Sequence, residues 1–132
     1  MPPNKLCLQM EEKHDYIHIR ASGDRTRENV ITMTIGVFNA AVEKGFSKVL
    51  IDIRELAGYF GFMDIFFLVK EVLVNFRGKG VDRVAVIDVH QTNRKDWFLE
   101  PVANSYGLNI RVFEKMESAE HWLGEKPSAP VV

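Results

Sequence analysis

The sequence predicts a single α/β domain with its elements in the order β-β-α-β-α-β-α-β-α. Three observations lead there. Val49-Leu50-Ile51-Asp52-Ile53 and Val84-Ala85-Val86-Ile87-Asp88-Val89 are short, nearly continuous apolar runs. Such runs sit in the middle of parallel sheets that helices cover. Segments with helical spacing alternate with them, as in a chain that returns across its sheet by right-handed crossovers. Finally, Gly45, Gly78, Gly107 and Gly124 each fall just past a proposed helix, and the first three are followed almost at once by a strand. Glycine there permits the left-handed conformation that ends helices.

Taken in order, Lys5 to Met10 is a short strand and Glu11 to Asp15 a polar link. Tyr16 to Ala21 alternates, with Ile17, Ile19 and Ala21 on one face and Tyr16, His18 and Arg20 on the other. The two strands with their short link suggest an antiparallel hairpin, closed by Gly23. Val30 to Val37 is rich in β-branched residues, which disfavour helix. Against that, Val30, Met33, Val37 and Ala41 recur at spacings of three and four, Thr26 is placed to cap the start, Glu28 suits a first turn and Lys44-Gly45 a last one. The balance predicts a helix over Arg27 to Lys44. After the strand from Lys48, a loop rich in glycine and aromatics runs from Glu55 to Gly61, and Phe62 to Phe76 is a long apolar helix. Asn93 to Tyr106 is a third helix, kinked or restarted at Pro101, which has no N–H to donate. Leu108 to Phe113 is the last strand and Ser118 to Leu123 a closing helix. Residues 1–124 form the domain; 125–132, with two prolines, are expected to be a flexible tail.

Composition narrows the class of function. A length of 132 residues fits one domain, and an apolar share of 46% supports one real core. A formal net charge of −1 and the lack of a basic block give no field to hold nucleic acid. Cys7 is the only cysteine, so neither an internal disulfide nor a cysteine-rich zinc site is available. Met1-Pro2-Pro3-Asn4-Lys5 lacks a signal-peptide core, and no apolar run reaches the roughly 18 residues of a membrane span. The expected location is the cytoplasm.

Three stretches resemble the SpoIIAA-like family of the STAS superfamily, the domain of bacterial anti-sigma-factor antagonists and of sulfate-transporter tails. They are Lys48-Val49-Leu50-Ile51-Asp52-Ile53-Arg54-Glu55-Leu56 with its loop, Asp82 to Ile87, and Ile110-Arg111-Val112-Phe113-Glu114 followed by Ala119-Glu120-His121-Trp122-Leu123. With the element order they span nearly the whole chain. The resemblance implies a mixed central sheet flanked by helices and a binding or regulatory role rather than catalysis. Antagonist members carry a phosphorylatable serine at the start of the helix after the third strand. Phe62-Met63-Asp64 resembles the approach to that site, but Ile65 and Phe66 stand where the hydroxyl is needed, and no Ser or Thr occurs from Lys48 to Gln91. No phosphorylation is expected at this turn.

Apolar surface takes the serine's place. On a helical wheel Phe62, Ile65, Phe66, Val69, Val72, Leu73 and Phe76 form one face; Met63, Phe67 and Val74 form a second stripe, and Leu68 lies apart. Ile31, Ile35 and Val42 likewise flank the core face of the preceding helix. With Tyr59 and Phe60 this is more apolar area than one sheet face needs. Each large side chain left wet forgoes roughly 1.5–3 kcal/mol, so the set is expected to find cover: in neighbouring helices, a second subunit, or a pocket between the two helices. The candidate binding residues are therefore Tyr59, Phe60, Phe62, Met63, Phe67, Ile31 and Ile35.

Polar candidates gather where two central strands end: Asp52 and Arg54 on one, Asp88 and His90 on the other. That edge is where open α/β sheets bind ligands. The spacing matches no metal motif, and no metal or cofactor is expected. Gly58-Tyr59-Phe60-Gly61 lacks the Lys-Ser/Thr of a phosphate loop. His14 and His18 are expected to be solvated on the hairpin, Trp97 and Trp122 to anchor the core, and Lys70, Arg77, Lys79 and Arg83 to form a solvated basic face. Three readings stand. The first is a non-catalytic module holding an apolar or lipid-like small molecule as a homodimer. The second is a regulator docking on a protein partner, related to the antagonists but without their serine. The third is a small enzyme using Asp52, Asp88 and His90.

Overall fold

In the computed structural model, which describes residues 5–58, 60–89 and 99–124, the strands lie side by side in chain order. They are β1 (Leu6–Glu12), β2 (Ile17–Asp24), β3 (Lys48–Ala57), β4 (Arg83–Ile87) and β5 (Ile110–Phe113). β1 and β2 pair antiparallel, and the other neighbours pair parallel, so the sheet is mixed. The alternation of Tyr16 to Ala21 explains the hairpin: Ile17, Ile19 and Ala21 are fully buried while Arg20 is exposed.

Helix α1 spans Arg27–Lys44 as its caps predict: Thr26 accepts from the backbone N–H of Asn29, and Gly45, at φ 76°, donates to the carbonyls of Ala41 and Val42. Its β-branched run is no obstacle, because Val30, Met33, Val37 and Ala41 bury one stripe on the sheet. The next segment departs from a single α-helix. Residues Phe62–Phe67 form α2, Leu68–Val72 make a π-helical turn, and Leu73–Phe76 a 3₁₀ turn. The buried face is Ile65, Leu68, Val69, Val72 and Leu73, so Leu68 belongs to the core and Phe62 does not. Helix α3 is described over Leu99–Ser105 and contains Pro101. Helix α4 spans Met116–Gly124, longer at both ends than expected, with Gly124 inside it. Residues 93–98 and 125–132, with Trp97, lie outside the described residues.

Two cores result. The larger lies between one face of the sheet and the layer of α1, α2 with its π and 3₁₀ turns, and α3. The smaller, on the opposite face, packs Leu50, Ala85 and Ile87 under Ala119, Trp122 and Leu123 of α4. Among the described residues, no helix is long and apolar enough to cross a membrane.

Candidate functional site

Buried charge collects at the carboxyl edge of the sheet. Arg25 directly follows β2, and its backbone N–H donates to the carbonyl of Ala57 at the end of β3. Asp88 directly follows β4. Their side chains meet as a fork: Nη1 donates to Oδ2 at 2.8 Å and Nη2 to Oδ1 at 3.1 Å. Both side chains are almost sealed, 4% and 7% exposed. A buried ion pair is favoured when further hydrogen bonds engage its remaining donors and acceptors. Here Nε donates to the carbonyl of Leu56 at 3.3 Å and Nη2 to that of Ile53 at 2.9 Å. The Ile53 carbonyl lies within an irregularity in β3 and that of Leu56 just beyond it: Arg20 pairs with Asp52 but Ser22 with Glu55, so β3 carries one extra residue there. Gly58, at φ 130°, completes the fit, since a Cβ would come within 3.1 Å of the Arg25 carbonyl oxygen.

The pair borders an apolar cavity of about 90 Å³ between the sheet and the helical layer. Val30 and Met33 of α1, Ile51 and Val86 of the sheet, and Leu68 and Leu73 of the π and 3₁₀ turns contribute walls, as do Phe60 and Leu99. Arg25, Asp88 and Thr34 are the polar side chains among the described lining residues, and the Thr34 hydroxyl already donates to the Val30 carbonyl at 2.7 Å.

Asp52 is buried too, but apart from this cavity. It shares the α4-side face of β3 with Leu50 and Arg54, whose Nη2 and Nε reach its oxygens at 2.7 and 2.9 Å, with the Arg54 backbone N–H at 3.1 Å. Burial raises the Asp52 carboxyl, but the Arg54 hydrogen bonds and charge, with Arg20 behind them, outweigh it and hold the group below its ordinary value. Each aspartate is thus bound to its own arginine rather than to the other. On the same face His18 is half-buried instead of solvated, and its Nε2 is buried with no hydrogen-bond partner among the described residues. Burial, then the Arg20 charge, pushes the His18 imidazole below its usual value. Nearby, the Tyr16 hydroxyl donates to Glu120 at 3.0 Å, and burial followed by that carboxylate pushes it up to about 12.

The apolar candidates divide. Phe60 is buried and lines the cavity. Ile35, Phe62 and Met63 are 41%, 43% and 72% exposed. Ile31 and Phe67 are half-buried, and the Arg27 guanidinium lies 3.9 Å over the Phe67 ring. Asp64 accepts the Gly61 backbone N–H at 3.1 Å, fixing the start of α2. Tyr59 and His90 lie outside the described residues. Among the expected solvated bases, Arg83 donates to the Trp122 carbonyl and Arg77 to that of Tyr106. Sequence reasoning missed Arg25 altogether. The signal that could have found it is Asp88 itself, a carboxylate at the end of an apolar strand, which needs a cation when buried.

The family model described as SpoIIAA-like matches residues 16–124. The chain belongs to the SpoIIAA-like family. Solved structures agree on the fold. A crystal structure of an anti-sigma factor antagonist from Mycobacterium paratuberculosis aligns with TM-score 0.62 at 11% identity, over 94% of this chain and 98% of that one. An uncharacterized protein with a SpoIIAA-like fold from Shewanella loihica aligns with TM-score 0.56 at 25% identity, over 93% of this chain and 98% of its own. The unphosphorylated form of the anti-sigma factor antagonist SpoIIAA gives TM-score 0.53 at 15% identity, over 90% and 100%. No curated protein matches the chain. The expected mixed sheet flanked by helices is therefore that of the SpoIIAA-like fold.

Proposed function

We propose that this SpoIIAA-like chain is a non-catalytic binding module that takes a small amphipathic molecule into the cavity beside Arg25 and Asp88. The cavity is the observation that carries the reading. Close-packed interiors keep few voids larger than a water molecule. At roughly 24 cal/mol per Å³, an apolar space of about 90 Å³ would cost at most about 2 kcal/mol if left unfilled. Occupancy would recover that cost. An engineered cavity of about 150 Å³ holds benzene, so the space here suits a short aliphatic segment. Asp52 and Asp88, each neutralised by an arginine, are poorly placed to share a proton, which weighs against the enzyme reading.

Self-association belongs to the same reading. Phe62, Met63 and Ile35 leave apolar area outside the domain that a second copy would cover. A protein partner is the competing occupant. With no Ser or Thr from Lys48 to Gln91, its docking would be controlled by something other than phosphorylation at this turn.

Native mass spectrometry of the purified chain tests both parts. A bound mass in the range of a small organic molecule, lost on Val84→Phe substitution into the cavity wall, is the expected result, together with a dimer peak. An unladen monomer that also takes up no apolar dye would end the proposal.

A further inference from the structure

We infer that the cavity selects an uncharged polar head on a short aliphatic chain, such as an alcohol or ketone, and rejects the corresponding carboxylate or ammonium. The inference rests on the binding role proposed above and adds the class of ligand. The polar wall sets a cation and an anion against each other rather than presenting a lone cation. Arg25 and Asp88 bind each other through two hydrogen bonds, both side chains nearly sealed from water. A guanidinium has five N–H donors. One on Nε, one on Nη1 and two on Nη2 are engaged by Leu56, Asp88 and Ile53. This leaves one N–H on Nη1 beyond those bonds, enough for a single acceptor oxygen but not for the two-pronged grip a carboxylate receives from an unpaired arginine. A carboxylate head would also bring a second negative charge against Asp88, and an ammonium a second positive charge against Arg25. Either would have to shed its water into walls otherwise made of Val, Ile, Leu, Met and Phe. A hydroxyl or carbonyl meets neither penalty. Thr34, whose hydroxyl proton is turned to Val30, offers lone pairs to a hydroxyl head.

The test is an NMR titration of the full chain with methyl labels, using 1-pentanol, pentanoate and pentylammonium as probes at neutral pH. The methyls of Val84, Val86 and Ile110 report the cavity. The expected result is saturable shifts with pentanol, and binding of both ions weaker by about tenfold or more, since like charges set together cost several kcal/mol. If pentanoate or pentylammonium binds as well as pentanol, the inference is overturned while the cavity remains a binding site. If no probe moves these methyls, the binding role itself fails and the inference with it. As a second measurement, Asp88→Asn leaves Arg25 uncompensated and should turn the preference towards pentanoate. A folded variant with the preference unchanged would show that the ion pair is not the selector. The comparison on the unsubstituted chain decides even if that variant does not fold.

Discussion

Arg25 draws on three chain segments at once: the carbonyls of Ile53 and Leu56, the carboxylate of Asp88, and its own turn after β2. Removing one member of a buried ion pair leaves the other charged and dry, which typically costs 3–5 kcal/mol. Asp88→Ala is therefore expected to lower the unfolding free energy by about 3–5 kcal/mol in urea denaturation, whereas the double change Arg25→Met with Asp88→Leu should lose much less. A loss below about 1 kcal/mol for the single variant would mean that water reaches the pair. Asp88 was legible in the sequence and Arg25 was not, because their contact spans 63 positions and a lone chain carries no record of such pairings. His18 gives a pH prediction at the same scale. Burial and the positive charges of Arg20 and Lys13 lower its folded value, against the opposing pull of Asp52 and Glu11. Below about 6.5, the ordinary value, the unfolded chain takes up this proton more readily than the folded one. The stability due to neutral His18 is thus complete above that pH and declines as pH falls towards the folded value. His18→Gln should make the loss of stability on acidification from neutral pH shallower. Parallel curves for the two proteins would show that the imidazole titrates alike folded and unfolded.

Helix α1 was legible from end to end because its signals are local: Thr26 at one end, Gly45 at the other, and a stripe at spacings of three and four between them. Local reasoning also says what the helix lacks. Gly36 is exposed mid-helix, and a Cβ there would meet nothing within 4 Å. Gly36→Ala should therefore raise stability by about 0.5–1 kcal/mol, chiefly by restricting the unfolded chain, with the shift read as a higher urea midpoint at unchanged slope. A destabilised variant would mean that the exposed face of α1 is occupied in solution. The segment from Phe62 to Phe76 was legible only as helical. A wheel drawn at constant pitch cannot register the π turn at Leu68–Val72, after which the later side chains fall at a different angle. The wheel also set Leu68 apart and placed Phe62 in the core, whereas the burial is the reverse: Leu68 stands three residues after the buried Ile65, and Phe62 is the first residue of α2. The extra residue of β3 was equally hidden, since its position follows from pairing with β2 and not from any residue type.

At the scale of the whole molecule, the apolar surplus seen in the sequence has two destinations. Part of it goes inward: Phe60 and Leu68 join the wall of the cavity. The rest stays outside, where Ile35, Phe62 and Met63 remain substantially exposed. Element order and the two central strands were legible because each run is apolar on both faces and each face meets its own core, above in the larger cluster and below under α4. Whether a second subunit covers the outer set was not legible, since hydrophobicity drives burial without naming the partner. A stable interface needs roughly 800 Å² from each side, more than three side chains provide, so a dimer through α2 would have to recruit the exposed flank of α1 as well. That geometry makes Met63, at 72% exposure, the place where a charge does most harm to association and least to the fold. Met63→Asp is expected to weaken a dimer by tenfold or more in sedimentation velocity, each tenfold step being about 1.4 kcal/mol, and to leave the unfolding free energy of the monomer in urea within about 0.5 kcal/mol of the parent. Since Met63 is not among the residues lining the cavity, uptake of a small probe should persist in the variant. Loss of uptake together with loss of the dimer would tie the cavity to assembly, and a parent chain monomeric at every concentration would remove the dimer from the account.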